Sequence, residues 1–242
     1  MRPLALAYHG IAGVPPSRDP HGLFVAPRLL RRHVRWLRRR GYRLVTFGEL
    51  AARSSAGSGE GFAALTFDDG LADNLALTEL GVPATVFAVS GWLGNEHPEA
   101  PGARMLSAAE LRRLHAAGVE IGGHTASHAD LTQLGFHAAR DELGRGRAEL
   151  EAIVDAPVTS AAYPYGRANV ETVRACAAAG FLAACRTTGE GSFDSPLDFP
   201  REDMTNGATL LGLRLKAAGR YEPLMRHRPA RAVRRAKQAV LG

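Results

Sequence analysis

The sequence predicts an α/β protein built on one parallel sheet, either closed as a barrel or doubly wound. Three observations predict it. Short apolar runs alternate with amphipathic segments along most of the chain, which gives roughly seven or eight β/α units. Glycines close the helical segments at Gly41, Gly81, Gly118 and Gly180. His9, Asp68, Asp69, Trp92, His124 and Tyr165 all follow apolar runs, where parallel sheets gather ligands at the carboxyl ends of their strands.

Each element has its own reason. Leu4 to Tyr8 is an apolar strand ending at His9. From about Pro27 to Arg40 the pattern is helical, with Leu29, Leu30, Val34 and Leu37 on one face and arginines on the other. Arg43 to Val45 is a short strand, and Thr46 with Glu49 has the spacing of a capping box. Residues 62–67 (FAALTF) form a nearly unbroken apolar strand that leads into a helix reaching Glu79. Residues 84–89 (ATVFAV) are the next strand, followed by a long loop from Ser90 to Met105. Ser107 and Glu110 have capping-box spacing for another helix. A strand from Val119 to Gly122 ends at His124, and a helix runs from His137 to about Val154. Thr159 to Tyr163 is a strand, Asn169 to Ala179 a helix, and Phe181 to Cys185 a strand. A last extended piece lies near Leu197 to Pro200.

Composition narrows the class. The 242 residues are 45% hydrophobic, enough for a large core. No apolar stretch approaches the roughly 20 residues of a membrane span, and MRPLALAYHG lacks the pattern of a signal peptide. The expected location is therefore cytoplasmic. Cys176 and Cys185 read as small buried thiols. The net charge of +6 is a property of the C-terminus, since residues 214–242 carry nine basic side chains and one acid. The remaining 21 basic and 23 acidic residues leave a body of net charge −2, which argues against nucleic acid as a partner. The expected organisation is a barrel domain over residues 1–213 and a basic tail over 214–242. The tail, with Arg226 to Lys237 at its centre, is either a solvated terminus or a weak contact for the anionic inner face of a membrane.

Two carboxylates, Asp68 and Asp69, close the FAALTF strand. Adjacent carboxylates losing water need a metal ion, a proton or a basic partner, unless they only form a turn and a helix cap. GGHTASH supplies His124 and His128 at i, i+4, which would share a metal if the segment turns helically. With Asp69 they make a three-ligand site with open positions, and Asp68 is then free to act as a base.

TFDDG, HTASH and AYPYG, in this order and at these separations, resemble the motifs of the polysaccharide deacetylase (NodB-homology) family over roughly residues 4–205. The resemblance implies a distorted (β/α) barrel of about seven parallel strands. It implies a metal-dependent hydrolase that removes acetyl groups from carbohydrates. By the motifs, Asp68 matches the base, and Asp69, His124 and His128 the metal ligands. Tyr165 matches the residue whose backbone N–H stabilises an oxyanion. Zinc is the metal expected, with cobalt and nickel as alternatives. The implied substrate is an acetylated amino-sugar carbohydrate or glycolipid. An O-acetyl ester, a cyclic amide, or mere binding without catalysis are the rival readings.

The chain departs from the motifs twice. Many members carry an arginine where this sequence has Ala162; Arg201 in FPRED is the nearby replacement, or else a solvated rim residue. The usual C-terminal histidine acid is missing. LALAYHGI instead places His9 at the end of the first strand, as in the permuted poly-N-acetylglucosamine deacetylase-like branch. His9 is therefore the expected acid, with Asp198 or Asp203 as its supporting carboxylate. Trp92 and Tyr163 are candidate stacking surfaces for a sugar, with core packing as the alternative for Tyr163.

Overall fold

Strand β3 (Phe62–Phe67) is buried along its whole length and organises the sheet. On one edge it pairs in parallel with β1 (Leu4–Tyr8), in register from Leu4↔Ala63 to Tyr8↔Phe67. Its other edge is shared. β2 (Arg43–Val45) pairs with its first half, and β4 (Thr85–Ala88) with its second. The sheet continues through β5 (Glu120–Gly123), β6 (Ser160–Ala162) and β7 (Ala183–Arg186), all parallel. These relationships come from a computed structural model that describes residues 1–187, 191–205 and 209–221.

The two ends of the sheet meet in one segment. β8 (Phe199–Pro200) pairs with β7, β9 (Glu202–Asp203) pairs with β1, and only Arg201 separates them. The sheet is thus a nearly closed parallel barrel, as expected, with this segment as the last stave.

Among the described residues the helices are α1 (Pro27–Arg39), α2 (Phe47–Ser55), α3 (Leu77–Leu80), α4 (Ala108–Ala116), α5 (Phe136–Val154), α6 (Val170–Ala178) and α7 (Leu210–Ala217). α4 packs on α5, α5 on α6, and α7 on α1. Residue 214, the expected start of the tail, falls inside α7, where Leu213 is fully buried. Residues 222–242, with most of the basic tail, lie outside the described residues.

The capping boxes differ. At α4, Ser107 and Glu110 bond reciprocally. At α2, Thr46 accepts from the Glu49 N–H, but the Glu49 carboxylate turns to Arg53. Glu120 supplies the second cap, accepting from the Gly48 N–H at 3.0 Å. The expected helix after β3 is broken into a 3-10 turn at Ala72–Ala76 and the single turn of α3.

Side chains alternate across the strands and make two cores. Leu4, Leu6, Ala63, Leu65, Val86 and Ala184 belong to a cluster shared with the helices. Ala5, Ala64, Phe87, Ala162, Cys185 and Phe199 belong to a second cluster, with Phe47 and Leu50 of α2. The second cluster is rich in alanine because barrel interiors are narrow. Phe47 meets Phe87 and Phe199 edge-on, with centroids 5.6 and 5.7 Å apart. Both cysteines are free and buried.

Candidate active site

Asp68 continues the face of β3 that carries Phe62, Ala64 and Thr66, so the strand's own alternation carries it towards the barrel interior. Arg201 meets it there. The guanidinium donates to both Asp68 oxygens at 2.7 Å and to Thr66 Oγ1 at 2.8 Å. Its carbon lies 5.4 Å from the centre of the Phe87 ring, so the aromatic cluster supports it. Arg201 is buried, which removes the reading of a solvated rim residue. Burial works to raise the Asp68 carboxyl, but Arg201, with His124 and His9, holds it below the ordinary carboxylate range.

Asp69 takes the left-handed conformation, with φ 71°. Its Oδ1 is buried without a hydrogen-bond partner and lies 3.6 Å from Nε2 of both His124 and His128. Those three ligand atoms sit within 4.8 Å of one another. His124 Nδ1 is 2.8 Å from the Ala162 carbonyl, which can only accept, so that nitrogen carries a proton, and in the neutral ring Nε2 is the one with the lone pair. Burial pushes His128 down to about 4, helped by His124 and opposed by Asp69 and Asp68. An orphaned carboxylate oxygen facing two imidazole nitrogens is a donor set that fits a divalent ion.

The histidines converge without the helical turn expected between them. Thr125 (φ 67°) and His128 (φ 61°) are left-handed, and Thr125 Oγ1 accepts the His128 N–H at 2.9 Å. A β-branched residue there is strained by about 1–3 kcal/mol. Packing holds the turn in place: a Cβ on Gly146 of α5 would lie 2.7 Å from the Thr125 carbonyl carbon. Four of the five non-glycine residues with positive φ among the described residues are Asp69, Thr125, His128 and Tyr165, so backbone strain concentrates at this one site.

Tyr165 (φ 57°) is exposed, with its ring centre 4.7 Å from that of His128. Among the described residues its backbone N–H has no hydrogen-bond acceptor. His9 follows β1 and is near enough to help lower both Asp68 and Asp69, while its buried Nδ1 has no partner. Neither carboxylate suggested to support His9 is bonded to it. Asp198 pairs with Arg186, and Asp203 accepts from Thr205. Trp92 is half-buried, its ring centre 4.8 Å from that of His128. Tyr163 is corrected to core: it is fully buried, with its hydroxyl donating to the Leu197 carbonyl at 2.7 Å.

Sequence reasoning missed His97. It is buried, and its Nε2 lies 3.1 Å from Asp69 Oδ2. The only sequence signal is a histidine inside the long segment that leaves β4 for the site.

The profile of the polysaccharide deacetylase family matches residues 56–184, more than half of the chain. The chain belongs to the polysaccharide deacetylase family. It is 27% identical over 189 residues to YxkH of Bacillus subtilis (strain 168), which bears a polysaccharide deacetylase name. That match covers 75% of this chain and 63% of YxkH, so this deacetylase-family chain spans less than two thirds of its relative. Among solved structures, Streptococcus pyogenes deacetylase PplD in complex with acetate superposes with a TM-score of 0.74 at 22% identity, over 88% of this chain and 97% of that one. IcaB from Ammonifex degensii gives 0.68 at 20% identity, over 90% and 96%. At these identities the likeness is one of fold.

Proposed function

We propose that this deacetylase-family chain is a metal-dependent hydrolase that removes the N-acetyl group of an amino sugar and releases acetate. One observation carries the reading. The buried, unpartnered Oδ1 of Asp69 faces Nε2 of His124 and His128, one residue away from a carboxylate that Arg201 keeps ionised. A divalent ion held by Asp69, His124 and His128 would polarise the acetyl carbonyl and acidify a water molecule.

The protein's own groups then divide the work. Asp68 accepts a proton from water as the new C–O bond forms at the acetyl carbon. The Tyr165 N–H donates to the carbonyl oxygen as negative charge develops on it. His9 donates a proton to the sugar nitrogen as the C–N bond breaks, and amine and acetate leave. Arg201 acts through Asp68 by keeping it charged and oriented. Trp92, beside His128, offers an aromatic face for a pyranose. Zinc suits the His2Asp set, and cobalt or nickel also fit it.

No helix among the described residues is long and apolar enough to cross a membrane. A carbohydrate or glycolipid with an accessible acetamide is the substrate class. The test is acetate release from a panel of N-acetylated and O-acetylated sugars, in chelator and with zinc restored. Zinc-dependent release from the N-acetyl members is expected. Release from O-acetyl members alone would transfer the activity to an esterase, and release from none would leave a binding protein.

A further inference from the structure

Asp69 is held by more than its own backbone. The segment from Ser90 to Met105 leaves β4 and returns as a hairpin, with an antiparallel bridge between Glu96 and Arg104. The hairpin is tied to the turn that carries Asp69. The Val89 N–H donates to the Asp69 carbonyl at 3.2 Å, Leu106 N–H to the Gly70 carbonyl at 2.9 Å, and Ala72 N–H to the Arg104 carbonyl at 2.8 Å. Within the hairpin, His97 is fixed by its own N–H on the Ala103 carbonyl at 2.8 Å and by the Ala100 N–H on its carbonyl at 3.3 Å.

The ring of His97 is 4% exposed and packs edgewise on Trp92, with centroids 5.0 Å apart. Its Nδ1 accepts the Glu99 N–H at 3.1 Å. An imidazole nitrogen that accepts carries no proton, so Nε2 is the donor, and it faces Asp69 Oδ2 at 3.1 Å. Oδ2 is thus occupied while Oδ1 is the oxygen turned to His124 and His128.

We propose that His97, carried by the Ser90–Met105 hairpin, is a positioning residue that makes Asp69 a one-oxygen metal ligand. This rests on the metal-site reading above. A carboxylate without the bond could rotate or chelate through both oxygens, and either choice would change the distance to the two imidazoles. Partners of this kind, one step beyond the ligands, are worth about 10–100-fold in metal affinity. Trp92 packs this arrangement further, because its ring lies against both His97 and His128.

The test is the zinc dissociation constant, by competition with a chromophoric chelator, for the full chain and for His97→Ala, His97→Gln, His97→Phe and Asp69→Ala. Circular dichroism and metal-free thermal melts check folding. His97→Ala should keep about one zinc per chain but bind it about 10–100-fold more weakly. His97→Gln, which retains an N–H donor, should recover most of the loss. His97→Phe, which fills the space without a donor, should not, and the Gln–Phe comparison stands even if the alanine variant fails to fold. Wild-type affinity in His97→Phe and His97→Ala, with binding lost in Asp69→Ala, would overturn the proposal and leave the metal site standing. Wild-type affinity in Asp69→Ala would instead overturn the metal site itself.

Discussion

Arg201 and Asp68 are joined by two hydrogen bonds of 2.7 Å each, closed off from solvent, across 133 residues of sequence. Removing one partner of such a pair leaves a buried charge unpaired, at a cost of about 3–5 kcal/mol. Arg201→Met should therefore lower the melting temperature strongly. The pH dependence follows from the depressed Asp68 pKa. The unfolded chain binds the proton first as pH falls, so the pair's stabilisation is complete above about pH 4 and lost as pH drops through the folded value. In Arg201→Met, burial acts unopposed by the guanidinium, so the acid limb of the kcat/KM profile should move upward. An unmoved acid limb would show that Arg201 does not tune the base.

The two neighbouring aspartates should separate cleanly. Asp68→Asn should keep zinc and lose about 10²–10⁴ in kcat, the usual worth of a positioned base. Asp69→Asn should lose zinc as well. Metal analysis beside single-turnover kinetics measures both, and the opposite pattern would reverse the two roles.

His9 is assigned a proton to deliver, and a good leaving group does not need one. His9→Ala should harm hydrolysis of an acetamide far more than that of an activated acetate ester. Equal loss on both substrates would point to packing instead.

Gly146→Ala sets two effects against each other. Helix propensity alone favours alanine by about 1 kcal/mol. The new Cβ would lie 2.7–2.9 Å from Thr125 and Ala126 backbone atoms, which cannot move without displacing His124 and His128. Overpacking of this kind costs about 1–3 kcal/mol. The variant should melt lower and bind zinc more weakly, and a higher melting temperature would show that the turn tolerates movement.

His128 is pushed down to about 4 by burial, from an ordinary value near 6.5. Between about pH 6.5 and 4 the unfolded chain binds the extra proton, so the metal-free protein should lose stability as pH falls through that window. Urea unfolding across it should show a slope that His128→Gln flattens. An identical slope in the variant would assign the effect to other groups.

Most strands were legible because each is a short apolar run that stops at a polar residue, as FAALTF stops at Asp68, whereas β9, the acidic pair Glu202–Asp203, was not. Their order was not, because pairing depends on packing between distant segments. Arg201 shows the difficulty: nothing local distinguishes an arginine that reaches a buried carboxylate from one that points into water. His124 and His128 were found by spacing, but the spacing suggested a helix where Thr125 and His128 adopt left-handed conformations that tertiary packing enforces. His97 was invisible because an irregular segment has no period from which to infer a neighbour. Tyr163 looked available because it ends a strand beside the site, yet the barrel wall covers it.

The residue that completes the barrel is also the one that reaches Asp68. Arg201 lies between the two short strands that join β7 to β1, far towards the C-terminus. During synthesis, the motifs at Asp68, His124 and Tyr165 all leave the ribosome before it. A chain without this last stave would lack the guanidinium that pairs with the Asp68 carboxylate. On the proposed assignment of Asp68 as the base, the guanidinium that holds it charged therefore reaches it only when the final stave docks.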